Sequence, residues 1–149
     1  ENIKYFNEDI NNFKTKKKFD YIFFIDVFLF FFDKKFQKKL NKNNVKIIKK
    51  ISNFLNKDGK ILIMDPSLFW LTPFFGGKQN PFGIVTEYKS KHLSTIPSLS
   101  EYSDLFFECK LKIDRIFEPI MDKKDKNFNL RTYNFYNMFP QWHVFLLSK

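Results

Sequence analysis

Two histidines, His92 and His143, are the side chains best suited to move a proton near neutral pH. His92 falls in a long stretch without helical or strand periodicity, residues 66–97, which also carries Trp70 and Tyr88. Asp65 stands immediately before that stretch, at the end of an apolar run. A carboxylate, an imidazole, an indole and a phenol around one loop could bind a small, partly apolar molecule, with His92 as its general base. The bland reading of each residue stands beside this one. Loop histidines are more often bystanders, and loop aromatics more often pack the loop than touch a ligand. His143 lies inside the last apolar run, and its expected role is structural. The single cysteine, Cys109, excludes an internal disulfide framework, and no Cys/His spacing suits a metal.

The elements that must position these residues are written in the apolar pattern. Asn2 to Phe6 alternates weakly and predicts a short strand ending near Asp9 and Ile10, and 11–18 is a polar, basic connection. Residues 21–25, Tyr-Ile-Phe-Phe-Ile, are apolar at every position, which predicts a strand buried on both faces and ended by Asp26. Val45, Ile48, Ile51 and Leu55 form one stripe at helical spacing, with Lys46, Lys49, Lys50 and Asn53 opposite, so 45–55 reads as a helix stopped by Asp58-Gly59. Residues 61–64, Ile-Leu-Ile-Met, form a second fully apolar strand closed by Asp65-Pro66. Two buried strands separated by a helix make a βαβ unit, with the strands adjacent and parallel. Pro66 to Pro97 is expected to be a long irregular loop that serves as a lid on the ligand side. Ser98-x-x-Glu101 after Pro97 is a capping box opening a helix over 98–109. Strands follow over 111–117 and 142–147, which predicts an antiparallel C-terminal hairpin at one sheet edge.

Composition sets the outer bounds. A chain of 149 residues is one domain's worth, and a hydrophobic content of 44% excludes a disordered chain. There are 22 Phe, four Gly and no Ala, and among 26 basic residues only Arg115 and Arg131 are arginines. Lys, Asn, Ile and Phe share AT-rich codons, so the bias reads as genomic. The net charge of +10 is carried by lysines scattered over separate segments. Nucleic-acid sites favour the bidentate fork of arginine, and the expectation is a solvated basic surface with no nucleic-acid partner. The longest apolar run, 21–32, is interrupted by Asp26 and too short to span a bilayer. No membrane partner and a cytoplasmic location are expected.

With the elements in order, Phe19-Asp20 before the first apolar strand, then Leu55-Asn56-Lys57-Asp58-Gly59 before the second, resemble the middle of class I S-adenosylmethionine (SAM)-dependent methyltransferases. In that family Phe-Asp opens the fourth strand and a "L-K-P-G-G" turn leads into the fifth. Residues 97–119 look like its late helix and strand, and 142–147 takes the place of its final strand. The resemblance covers almost the whole chain and implies a Rossmann-like three-layer α/β/α fold. It further implies a partial methyltransferase sheet, mostly parallel, running from the third strand to the last. The implied cofactor is SAM, lying across the carboxyl ends of the strands. Asp9 would then accept a hydrogen bond from the adenine amino group, and the Ile10 N–H would meet an adenine ring nitrogen. Phe24, Ile25 and Asp26 would offer backbone to the methionine part, while Asp65, Trp70, Tyr88 and His92 would face a small-molecule methyl acceptor. The chain departs from the family in lacking the first strand, the G-x-G-x-G loop and the ribose-binding acid, and Lys110 replaces a customary glycine. The expectation is a methyltransferase fragment that needs an N-terminal segment of the same domain. The alternative is a non-catalytic Rossmann-like remnant, or a binding module with a basic surface.

Overall fold

Parallel strands cannot be joined by a tight turn, so the two most apolar runs need a crossover between them. In the computed structural model, β1 (Phe19–Ile25) and β2 (Leu55–Pro66) pair in parallel from Tyr21 opposite Lys60 to Ile25 opposite Met64. α1 (Lys42–Ser52) makes the connection and buries Ile48 and Ile51, as the βαβ reading expects. The structure describes residues 7–27, 42–67, 97–127 and 129–149, with the backbone alone of 85–87 and 93–95. The predicted strand at 2–6 lies outside these residues.

The helix ends earlier than its stripe implies, and the strand begins earlier. α1 stops at Ser52, and Leu55 is already the first residue of β2, buried in the core. The pairing then jumps from Phe19 opposite Leu55 to Tyr21 opposite Lys60, so 56–59 form a bulge within β2 and do not act as a helix stop. Gly59 is required there because β1 passes so close. A Cβ at this position would lie 2.8 Å from the Phe19 carbonyl oxygen and 3.1 Å from the Asn56 nitrogen.

β5 (Lys112–Phe117) and β6 (Trp142–Ser148) pair antiparallel, as expected of the late strands. They are not a tight hairpin, since a 3₁₀ turn at Lys123–Asn127 and α3 (Leu130–Met138) intervene. β6 also runs antiparallel to β2, which gives a mixed sheet in the order β1-β2-β6-β5. The 66–97 stretch is not wholly irregular: β3 (Val85–Glu87) and β4 (Leu93–Thr95) form a separate antiparallel ribbon. Three-residue strands leave too little alternation to be read in sequence.

α2 (Leu99–Glu108) begins at the predicted capping box, with the Ser98 hydroxyl accepting from the Glu101 N–H and the Glu101 carboxylate accepting from the Ser98 N–H. Its other end is a Schellman motif: Leu111 N–H donates to Phe106 O and Lys110 N–H to Phe107 O. Lys110 sits there at φ 58°, the left-handed geometry its place after the helix implied. That conformation costs a non-glycine residue about 1 kcal/mol.

The core lies on one face of the sheet. Ile61 and Ile63 of β2 and Phe145 and Leu147 of β6 alternate onto it and meet Ile48 of α1 with Tyr102, Leu105 and Phe106 of α2. The Phe145 ring lies 4.8 Å from Tyr102 and 5.3 Å from Phe106. Ile22 and Phe24 reach the same core from β1. Burial of β1 on both faces does not hold. Tyr21, Phe23 and Ile25 point the other way and remain 60%, 59% and 60% exposed.

Candidate functional site

The carboxyl ends of β1 and β2 lie side by side, because the strands are parallel and in register to Ile25 and Met64. Beyond that pair Asp26 turns to φ 55° while its N–H still donates to Met64 O at 2.7 Å. Aspartate tolerates this left-handed geometry better than most residues, since its short polar side chain can satisfy local groups. A left-handed residue other than glycine at a strand's end is the kind of backbone cost that collects at ligand sites.

Asp65 ends β2 from inside the protein. It is fully buried, and its Oδ2 accepts the Tyr102 hydroxyl at 2.8 Å. Burial, then the adjoining Asp65 carboxylate, holds the Tyr102 hydroxyl far above its ordinary pKa, so it stays protonated and donates. Here the expected ligand-side carboxylate is joined to the core. Ser67 follows and ties the strand's end to the turn before β6, its N–H donating to Gln141 O at 2.8 Å and its hydroxyl to Pro140 O.

Directly across the sheet from Asp65 stands His143. Its Nε2 lies 3.1 Å from Glu118 Oε1, just past the end of β5, while its buried Nδ1 has no hydrogen-bond partner among the described residues. Burial pushes the His143 pKa below its ordinary value, against the opposing pull of Glu118. The sequence reads His143 as structural and Tyr102 as part of the apolar face of the helix over 98–109, and gives Glu118 no role. The missing signal was strand pairing. Once β6 is set antiparallel against β2, His143 shares a face with Phe145 and Leu147 and falls opposite Asp65.

Asp26, Asp65, Glu118 and His143 thus gather at one end of the sheet, with the backbone of Phe24 and Ile25 leading to it. Asp9 and Ile10 are not brought to them. They form a turn in which the Asp9 carboxylate accepts from the N–H and the side-chain amide of Asn11, at 2.7 and 2.9 Å. Those bonds hold its pKa below the ordinary carboxylate value. Lys50, in the last turn of α1, donates to the carbonyls of Ile10 and Asn11 at 3.1 and 2.7 Å. Phe13 meets the Phe54 ring at 5.7 Å, so this turn sits where β1 begins rather than where it ends. Trp70, Tyr88 and His92 lie outside the described residues.

Comparison with solved structures places this arrangement in the fold of class I SAM-dependent methyltransferases. A SAM-dependent methyltransferase from Clostridium acetobutylicum ATCC 824 superposes with a TM-score of 0.59 at 15% identity, over 95% of this chain and 62% of that one. One from Mesorhizobium loti gives 0.61 at 5% identity, over 95% and 68%. The O-methyltransferase of a trans-AT PKS multienzyme of Brevibacillus brevis, solved with S-adenosyl-L-homocysteine, gives 0.53 at 20% identity, over 97% and 48%. The chain therefore spans about half to two-thirds of the length of these structures. No protein-family model matches it, and no curated protein matches it. Among the described residues, no helix is long and apolar enough to cross a membrane.

Proposed function

We propose that the chain is the larger part of a SAM-dependent methyltransferase domain acting on a small-molecule acceptor. The observation that carries this reading is the open end of the β1–β2 pair, in a chain that superposes on methyltransferase folds over 95% of its length. SAM supplies an electrophilic methyl group on a sulfonium. The residues present fit only its methionine end: the backbone of Phe24 and Ile25 and the exposed Asp26 stand where β1 stops. The nucleotide end is not matched. The four glycines spell no G-x-G-x-G motif in the sequence, and the Asp9–Ile10 turn is fastened at the opposite end of β1. An acceptor would lie over the same end of the sheet, with Trp70, Tyr88 and His92 as its expected contacts from the 66–97 lid. The work asked of these residues is positioning and exclusion of water.

In this reading the nucleotide half comes from an N-terminal segment of the same domain, a strand and helix joined by a glycine-rich turn. Support comes from β1, which among the described residues has a neighbour on one edge only and an apolar row uncovered on its outer face. A further parallel strand would continue the sheet, and its helix would cover Tyr21, Phe23 and Ile25. The fastened Asp9 turn favours a second reading, a non-catalytic remnant of this fold. Calorimetry with S-adenosylhomocysteine separates the two. The 149 residues alone should bind at least about 100-fold more weakly than the chain joined to such a segment, a difference of ~2.7 kcal/mol. Micromolar binding by the 149 residues alone would refute the need for a second half. Absence of binding in the joined chain would leave the remnant.

A further inference from the structure

A buried nitrogen with a lone pair and nothing donating to it is uncommon in folded proteins, and each case calls for an explanation. Among the described residues, His143 Nδ1 is such an atom. A carboxylate has no proton to give, so the contact with Glu118 requires the hydrogen of a neutral His143 ring to sit on Nε2. Nδ1 is then fixed as an acceptor. The His143 side chain is only 7% exposed, and an acceptor orphaned in such surroundings has given up its water for nothing in return.

Its position adds to its chemistry. His143 stands in the second row of β6, opposite Asp65 at the carboxyl end of β2, at the same end of the sheet as Asp26. Ligand crevices of open α/β sheets form at that end. The Phe145 ring lies edge-on at 6.1 Å, so the immediate surroundings are apolar on that side. An ammonium donor would have to shed its water to reach Nδ1, which is costly, whereas a neutral hydroxyl on an apolar body loses little.

We infer that Nδ1 of His143, held as an acceptor by Glu118, is a binding site for the hydroxyl of a small, largely apolar molecule. This rests on the methyltransferase reading only in that such a molecule would be the methyl acceptor; the hydrogen-bond geometry stands without it. Because Glu118 touches the imidazole and not the ligand, its part is to position the tautomer.

Phenol is the probe, and the side-chain ¹⁵N resonances of His143 in the 149-residue chain are the readout. Without phenol, Nδ1 should resonate as a bare lone-pair nitrogen; phenol should move it saturably toward the hydrogen-bonded range. Glu118 is partly exposed, and Glu118→Ala should fold normally while releasing the tautomer and cutting the phenol-induced shift at least twofold. A resonance unmoved by phenol overturns the proposal. So does an Nδ1 already hydrogen-bonded before phenol is added, which would reveal a resident water. Calorimetry with S-adenosylhomocysteine on the chain joined to its proposed N-terminal segment keeps the two ideas apart. Binding of S-adenosylhomocysteine there without a phenol shift defeats the His143 site alone, and a phenol shift with no such binding in the joined chain defeats the methyltransferase reading alone.

Discussion

The two faces of the sheet are built from the same strands and differ in almost everything else. On one, Ile61, Ile63, Phe145 and Leu147 are closed off by α1 and α2. On the other, Tyr21, Phe23 and Ile25 form an apolar row that no described element covers, with the Tyr21 and Phe23 rings stacked at 6.1 Å. Strands with one wet face alternate apolar and polar residues, whereas strands covered on both sides do not. β1 has the second kind of sequence and, among the described residues, the first kind of environment. The mismatch marks β1 as the strand whose sequence calls for more cover than the described residues give it.

The largest expected effect would break this comparison outright. Phe145→Ala removes a ring packed against Tyr102 and Phe106, and should cost about 3–5 kcal/mol of unfolding free energy in urea melts. Phe23→Ala in the same 149 residues should cost under about 1 kcal/mol, because that side chain is already in water. Similar losses at the two positions would show that the exposed row is covered after all. In a chain carrying a second cover, the cost of Phe23→Ala should rise toward the Phe145→Ala value.

A smaller effect sharpens the polar side of the covered face. Tyr102→Phe keeps the ring but removes the hydroxyl that donates to Asp65, and should cost about 1–3 kcal/mol. If equilibrium unfolding shows no change, the Asp65 carboxylate is satisfied without Tyr102, and its burial has another cause.

What the sequence disclosed was local, and what it concealed was pairing at a distance. The β1–α1–β2 unit was legible because each run declares its own period and no third element is needed to read it. The capping box of α2 and the left-handed Lys110 were legible for the same reason, each resting on bonds within a few residues. Asp65 was legible as a strand end, but not as a partner of Tyr102, 37 residues away. His143 and Glu118 were hidden in the same way, since only the antiparallel setting of β6 brings them together opposite Asp65. The covered and bare faces of β1 could not be told apart, because an apolar run shows how much cover a strand wants and not which cover is present.

The placement of β6 between β2 and β5 also has a kinetic meaning. Ile63 pairs with Phe24, 39 residues before it, and with Phe145, 82 residues after it. Chain-closure entropy makes the second pairing about 0.7 kcal/mol harder to reach than the first, before any contact repays it. The β1–β2 pair should therefore form early and β6 should slide in late, with the edge of β2 left open in the interval. Stopped-flow measurements on substitutions would read this order directly: Ile22→Val should slow refolding, and Leu147→Val should mainly hasten unfolding. During that interval β2 offers its inner edge to any strand that arrives first, and β6 must win that race although every other strand precedes it in the sequence.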